Sequence, residues 1–379
     1  MKNMPTFPSS DSVMIAGNLG SKPPAAMGII GRAFIYLSAA AIAIVVVVIY
    51  DAMSNPSRTP WGVSSFESDR YQYQANQETA FEPIPGFTGV SDLSEPKTHI
   101  TYDRWGGRVD GPDSETANPV YLMTVGCSQA WGQGVTNSQT FTSVLGTKLG
   151  KTVGNFGVSG YGGVGSLLRL RQRIHLTPKV ILYAFWEDHL NRNVDRCPAT
   201  GSPVCLEMPT VQFDAENHPH IRLPSNPARD LAQMRKWYLE ASGQTDKYRT
   251  FMTEFYWAGY SVWRSFETES RRRLGLIEAP SIDKKIAAAN FVIDHMKTTA
   301  DAVGALLVVV YIPDYLGTVI KEAPQDVRVK LEQKGGQFID MTERLQAMRQ
   351  AGVILAIPGD GHITDVVHQA VADEVAKRL

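Results

Sequence analysis

Cysteine is scarce in this chain, charge imbalance is almost absent, and internal repeats are missing; each shortage narrows what the protein can be. A net charge of −1 gives no reason to expect a nucleic-acid partner. The one dense basic patch, Arg271-Arg272-Arg273, reads as a solvated helix end. Of the three cysteines, none is joined by histidine in a metal-ligand spacing, so no zinc or other metal is expected. Methionine and tryptophan are scattered and outline no cofactor site, and no cofactor is expected. What is present is ordinary for a globular body: 379 residues, 43% hydrophobic and 20% charged, enough for one large domain or two smaller ones with ample core.

Only one apolar run is long. Residues 33–50 carry no charge, and with 28–31 added they reach the roughly 20 residues a bilayer crossing needs. The run has no polar face, unlike a helix on a soluble core. A cleaved signal peptide is the rival reading, opposed by the long polar leader and the lack of a small-residue cleavage site near Asp51. Lys2, Lys22 and Arg32 precede the run, which orients the N-terminus to the cytoplasm. The expectation is a disordered cytoplasmic tail (1–28), a single-pass signal anchor (29–50) and an extracytoplasmic remainder, periplasmic in a bacterium. Cys197 and Cys205 bracket a Pro/Gly/Ser loop; they can close a disulfide in such a compartment or stay two free thiols. Cys127 reads as a small buried filler.

Residues 51–97, rich in Ser, Gln, Pro and Glu, read as a stalk. Strand character appears at 98–107 and 119–125. From there strands at 151–156, 179–185, 305–311 and 337–340 alternate with helical stretches at 139–149, 164–175, 286–303 and 342–350. Such alternation predicts an α/β body with a parallel sheet and helices on both faces. It fails over 195–282, an insertion with hairpin character at 211–223 and a helical, aromatic stretch at 229–273 that includes Trp237, Trp257 and Trp263. That stretch packs on the core, caps a site or lies on a membrane surface.

The chemistry sits where strands end. The run before Gly126-Cys127-Ser128 puts a hydroxyl at a strand's C-terminal end, and Gly359-Asp360-Gly361-His362 brings a carboxylate and an imidazole near the C-terminus. Serine needs a base to remove its proton, and His362 is the best placed of the eight histidines, with His368 as the fallback. Asp360 can orient the imidazole. Ser128 N–H and Gly157, the latter in Asn155-Phe156-Gly157, are candidate donors to an oxyanion. Each also has a plain reading: Ser128 as a helix N-cap, Asp360 as a turn residue, His362 as loop surface, the glycines as a tight turn.

Taken together, these segments resemble the SGNH/GDSL hydrolases. Residues 123–135 resemble that family's first block, 155–161 its second, Phe185-Trp186-Glu187-Asp188-His189-Leu190-Asn191-Arg192-Asn193 its third and Asp360-Gly361-His362 its last. Residues 101–108 resemble the segment that precedes the nucleophile strand in membrane-attached relatives. The resemblance covers about 98–190 and 300–379. It implies a three-layer α/β/α, flavodoxin-like sandwich over 98–379, with Ser128 as nucleophile, His362 as base, Asp360 as its orienter, and Ser128, Gly157 and the third block at the oxyanion. Three positions depart from the pattern: Cys127 replaces the usual Asp, Asp360 and His362 are two apart rather than three, and Asp188 stands where an oxyanion-binding Asn is usual. An ionised Asp188 would repel the developing charge unless protonated or turned away; His189 donates instead if the register shifts by one.

The resemblance implies a serine esterase or O-acyltransferase whose partner is an acyl ester; the apolar run adds a membrane tether and an extracytoplasmic location, and that topology suggests an acetylated glycan. Two alternatives stay open: an inactive scaffold that binds glycan or a protein, and a membrane-associated lipase.

Overall fold

The computed structural model describes residues 72–91, 98–197, 205–233, 280–317, 320–358 and 361–379. The tail at 1–28, the apolar run at 29–50, most of the aromatic stretch at 229–273 and Asp360 lie outside them. Among the described residues no helix is long and apolar enough to cross a membrane.

In chain order, a hairpin of β1 (Tyr73–Asn76) and β2 (Ala80–Pro83) precedes β3 (Thr88–Ser91), β4 (Thr98–Tyr102) and β5 (Arg108–Val109). Next come β6 (Leu122–Gly126), α1 (Ser128–Trp131), α2 (Phe141–Leu149), β7 (Val153–Asn155) and α3 (Gly163–Arg173). They are followed by β8 (Val180–Trp186), α4 (His189–Arg192) and a second hairpin, β9 (Thr210–Phe213) with β10 (Pro219–Arg222). The C-terminal part holds α5 (Ile282–Asp301), β11 (Leu306–Ile312), α6 (Gln325–Gln333), β12 (Gln337–Asp340), α7 (Thr342–Gln350) and α8 (Asp365–Ala376).

Eight strands form one sheet in the order β12-β11-β8-β6-β7-β5-β4-β3. The first five are mutually parallel, and β5, β4 and β3 extend the edge antiparallel. Strands β8 and β11 have no polar side because both of their faces are covered. In β11, Leu307, Val309 and Tyr311 enter one apolar cluster while Val308, Val310 and Ile312 enter the other. In β8, Ile181, Tyr183 and Phe185 likewise oppose Leu182 and Ala184. The period of two sends successive side chains to opposite layers. Leu167 of α3, Met296 of α5 and Leu331 of α6 close the first cluster; Leu145 of α2, Leu345 of α7 and Val371 of α8 close the second. The result is a mixed α/β body with a large, mostly parallel sheet. Counted among the parallel strands alone the order is 2-1-3-4-5, so growth of the sheet reverses at β6. A crevice at the strands' C-terminal ends is expected at such a reversal.

The stalk reading of 51–97 is corrected over its described part. Residues 73–83 form the first hairpin, and β3 pairs with β4 in the main sheet. Phe81 packs edge-on against Tyr73 and Tyr161. Arg169 of α3, buried, donates to Glu82 at 3.2 Å and to the carbonyls of Trp105 and Gly106 at 3.0 Å. A buried guanidinium needs several acceptors, and the N-terminal segment supplies them. The hairpin expected within the insertion is present as β9–β10, outside the main sheet, and Cys197 and Cys205 are joined as a disulfide. The 9-residue helix α6 had no counterpart among the expected elements; its sequence is mostly polar, with only Val327 and Leu331 buried.

Candidate active site

Strand β6 ends on Gly126, where an added Cβ would lie 2.7 Å from that of Ala130. The lack of a side chain there lets α1 fold back over the strand end. The Cys127 carbonyl accepts from the N–H groups of Ala130 and Trp131 at 3.0 and 2.9 Å, so Cys127 occupies the N-cap position, without a side-chain cap. Ser128 is therefore the first residue of the helix and does not cap it. Its backbone N–H, one of the donors a helix start leaves over, meets no acceptor among the described residues.

The hydroxyl instead faces the imidazole. Ser128 Oγ and His362 Nε2 are 2.8 Å apart, with the two residues 2% and 1% exposed. With its proton on Nδ1, the ring accepts from the serine. His362 rides on a tight loop closed by Ile357 N–H donating to the His362 carbonyl (2.7 Å) and Gly361 N–H donating to Ile357 (3.0 Å). Asp360, the expected orienter of the ring, lies outside the described residues.

Two side chains fix α1 from below. Arg108 of β5, buried, donates to the carbonyls of Trp131 and Gly132 at 2.7 and 2.5 Å and to that of Val135 at 2.6 Å. It also lies 4.8 Å over the Trp131 ring. Burial draws its pKa down to about 10, which leaves it charged at neutral pH and suited to the negative end of the helix. Asn155 of β7 donates to Ala130 at 3.0 Å. Sequence reasoning passed over Arg108 as a contributor to the site. The available signal is an arginine closing the 101–108 segment ahead of the nucleophile strand.

The oxyanion candidates fare differently. Gly157 N–H donates to Asn155 Oδ1 at 3.1 Å, so here it is engaged within the fold. Its lack of a side chain has another cause: a Cβ would sit 2.5 Å from Trp131 N. The carboxylate of Asp188 is turned to its own helix, accepting from Arg192 Nε at 2.7 Å and Asn191 Nδ2 at 2.9 Å. Arg192 in turn donates to the Tyr161 carbonyl at 3.1 Å and lies over Trp186. His189 is fully buried, stacked on Tyr183 and 2.7 Å from its hydroxyl through Nδ1. Tyr183 and Phe185, which flank it, belong to the opposite face of the sheet from Ala130 and Ile363, so His189 is corrected to a core residue. Burial, then Arg192, holds its pKa well below the usual imidazole range. Cys127 is a free, buried thiol whose pKa burial raises. Among the described residues no three His, Cys, Asp or Glu side chains are grouped to hold a metal ion.

His368, the fallback base, is corrected too. Its Nδ1 accepts from Phe141 N–H at 3.2 Å and its ring lies against that of Phe141, so it caps the start of α2. Burial first, then Arg108 and His362, draw its pKa down to about 3. In the unfolded chain the imidazole titrates near about 6.5. Between those values the unfolded chain holds a proton that the folded chain refuses. Stability is therefore full above about pH 6.5 and falls as pH drops toward 3, by about tenfold in the folding equilibrium per pH unit. Denaturant midpoints measured from neutral pH to about pH 4 should decline, and less steeply in His368→Gln, whose amide oxygen can still accept from Phe141.

No family model matches the chain, and no curated protein matches it. A solved structure titled "Crystal Structure of TesA" aligns with 67% of this chain and 95% of its own at 15% identity and a TM-score of 0.35.

Proposed function

We propose that this chain is a serine hydrolase of SGNH/GDSL type, acting on an ester-linked acyl group by hydrolysis or by transfer to an acceptor hydroxyl. The observation that carries the reading is the 2.8 Å approach of Ser128 Oγ to His362 Nε2 at the sheet's reversal point. The strand order 2-1-3-4-5 is that of flavodoxin-like sheets, which supports it. Ser128 Oγ attacks the acyl carbonyl carbon as its proton moves to His362 Nε2. The carbonyl π electrons pass to oxygen, which Ser128 N–H can receive. Collapse expels the alcohol, which takes the proton from His362. Water, or an acceptor hydroxyl, then gives its proton to His362 and attacks the acyl-serine, and collapse releases the acid or new ester as His362 returns that proton to Ser128 Oγ.

The uncharged run at 33–50 supports tethering to a membrane with the catalytic body outside the cytoplasm. An acetylated glycan is the substrate this topology favours. One observation favours a second reading, an inactive scaffold: Asp188 occupies the place of a donor amide and is held by Arg192. A fluorophosphonate probe decides between them. Stoichiometric labelling of Ser128 in the purified chain is expected, because an imidazole within hydrogen-bond reach activates the hydroxyl. A serine that stays unlabelled at millimolar probe would leave only the scaffold.

A further inference from the structure

We propose that Gln129 and Tyr315 form a buried clamp that sets the position of His362 against Ser128, making both positioning residues of the reaction. This role rests on the serine-hydrolase reading. His362 lies on a loop, and the bonds from Ile357 N–H and Gly361 N–H close that loop upon itself without tying it to α1. The two peptide groups flanking His362 do reach outward. Tyr315 Oη donates to the Gly361 carbonyl at 2.8 Å, and Ile363 N–H donates to Gln129 Oε1 at 3.3 Å. Gln129 Nε2 then donates to Tyr315 Oη at 2.8 Å, which closes the circuit.

Gln129 directly follows the nucleophile on α1, so nucleophile and base hang on one set of hydrogen bonds. Both amide atoms of Gln129 are engaged and the residue is buried, so rotating it away strands polar groups out of water. Tyr315 is fixed from behind: Arg349 donates to its carbonyl and to that of Gly317, and Glu187 accepts from Asp314 N–H at 2.8 Å. The clamp thus joins α1, the segment after β11 and the loop before α8.

The test uses two substitutions that keep shape and remove the bonds, Tyr315→Phe and Gln129→Met, in the full chain with p-nitrophenyl acetate. A misplacement of the base by about 1 Å costs up to about a hundredfold, so kcat should fall about ten- to a hundredfold in each. KM should stay within about twofold, and the midpoint of the acidic limb of the pH profile should not move, because the clamp sets where the ring lies and not its charge. The double variant should be no slower than the worse single, since one circuit is broken once. Amide hydrogen exchange at Ile363 should quicken in both. Unchanged kcat in both variants, or unchanged exchange at Ile363, overturns the clamp. A wild-type chain that turns over no ester sinks the hydrolase reading; exchange at Ile363 then still decides the clamp, faster upholding it and unchanged overturning it.

Discussion

Ser128→Ala is expected to reduce turnover of p-nitrophenyl acetate by roughly 10⁵-fold or more, to the level left by binding alone. His362→Ala should cost about as much, and the double variant little more, because a nucleophile and its base act as one unit. The geometry argues against a structural explanation for such a loss. The Ser128 hydroxyl caps nothing, Cys127 being the N-cap residue, and its named partner is the imidazole at 2.8 Å. Removing it costs the imidazole the hydrogen bond to Ser128, about 0.5–1.5 kcal/mol net, small enough for a body with this much buried core to stay folded. The circular dichroism of Ser128→Ala should therefore match wild type, with the denaturant midpoint lowered only slightly. Turnover by Ser128→Ala equal to wild type would remove the serine from the chemistry.

The second large effect is expected at Gly157, for a reason unrelated to oxyanion binding. A Cβ there would stand 2.5 Å from Trp131 N and 2.8 Å from both the carbonyl carbon and the Cβ of Ala130. The obstacle is mostly backbone, and Arg108 and Asn155 hold the carbonyls of α1 in place, so the helix resists a shift. Gly157→Ala should lower stability by about 1–3 kcal/mol or more through overpacking. By displacing Ser128 from His362 it should also reduce kcat by about a hundredfold. Gly150→Ala is the control. That residue has φ 60° with open space around it, so only the left-handed backbone penalty of about 1 kcal/mol applies, and kcat should hold. If Gly157→Ala left both the denaturant midpoint and kcat unchanged, the tight seating of α1 would be wrong.

The alternation of strand and helix from residue 119 onward could be read directly, because strands covered on both faces have to be apolar along their whole length. Leu306–Ile312 shows this without a gap. The N-terminal strands could not be read that way. They are four residues long, with polar positions such as Gln74 and Glu82 among them, and they look like linker. Their place in the body depends on Arg169, whose acceptors lie more than sixty positions away. The clamp residues were equally silent, since a glutamine after a serine and a tyrosine after a strand have no pattern of their own.

The order of residues along the chain determined the class of body and the candidate pair Ser128 and His362. Local spacing dictates strand and helix, and hydroxyl and imidazole are chemically suited wherever they meet. Tertiary structure alone decided that the two atoms lie within a hydrogen bond across 234 positions. It also decided that His189 and His368 are spent on packing, that Asp188 is turned to Arg192, and that Gly157 is small to let a helix pass. Such distinctions depend on which groups share a desolvated space. Only the folded sheet, which brings together the ends of strands far apart along the chain, creates that space.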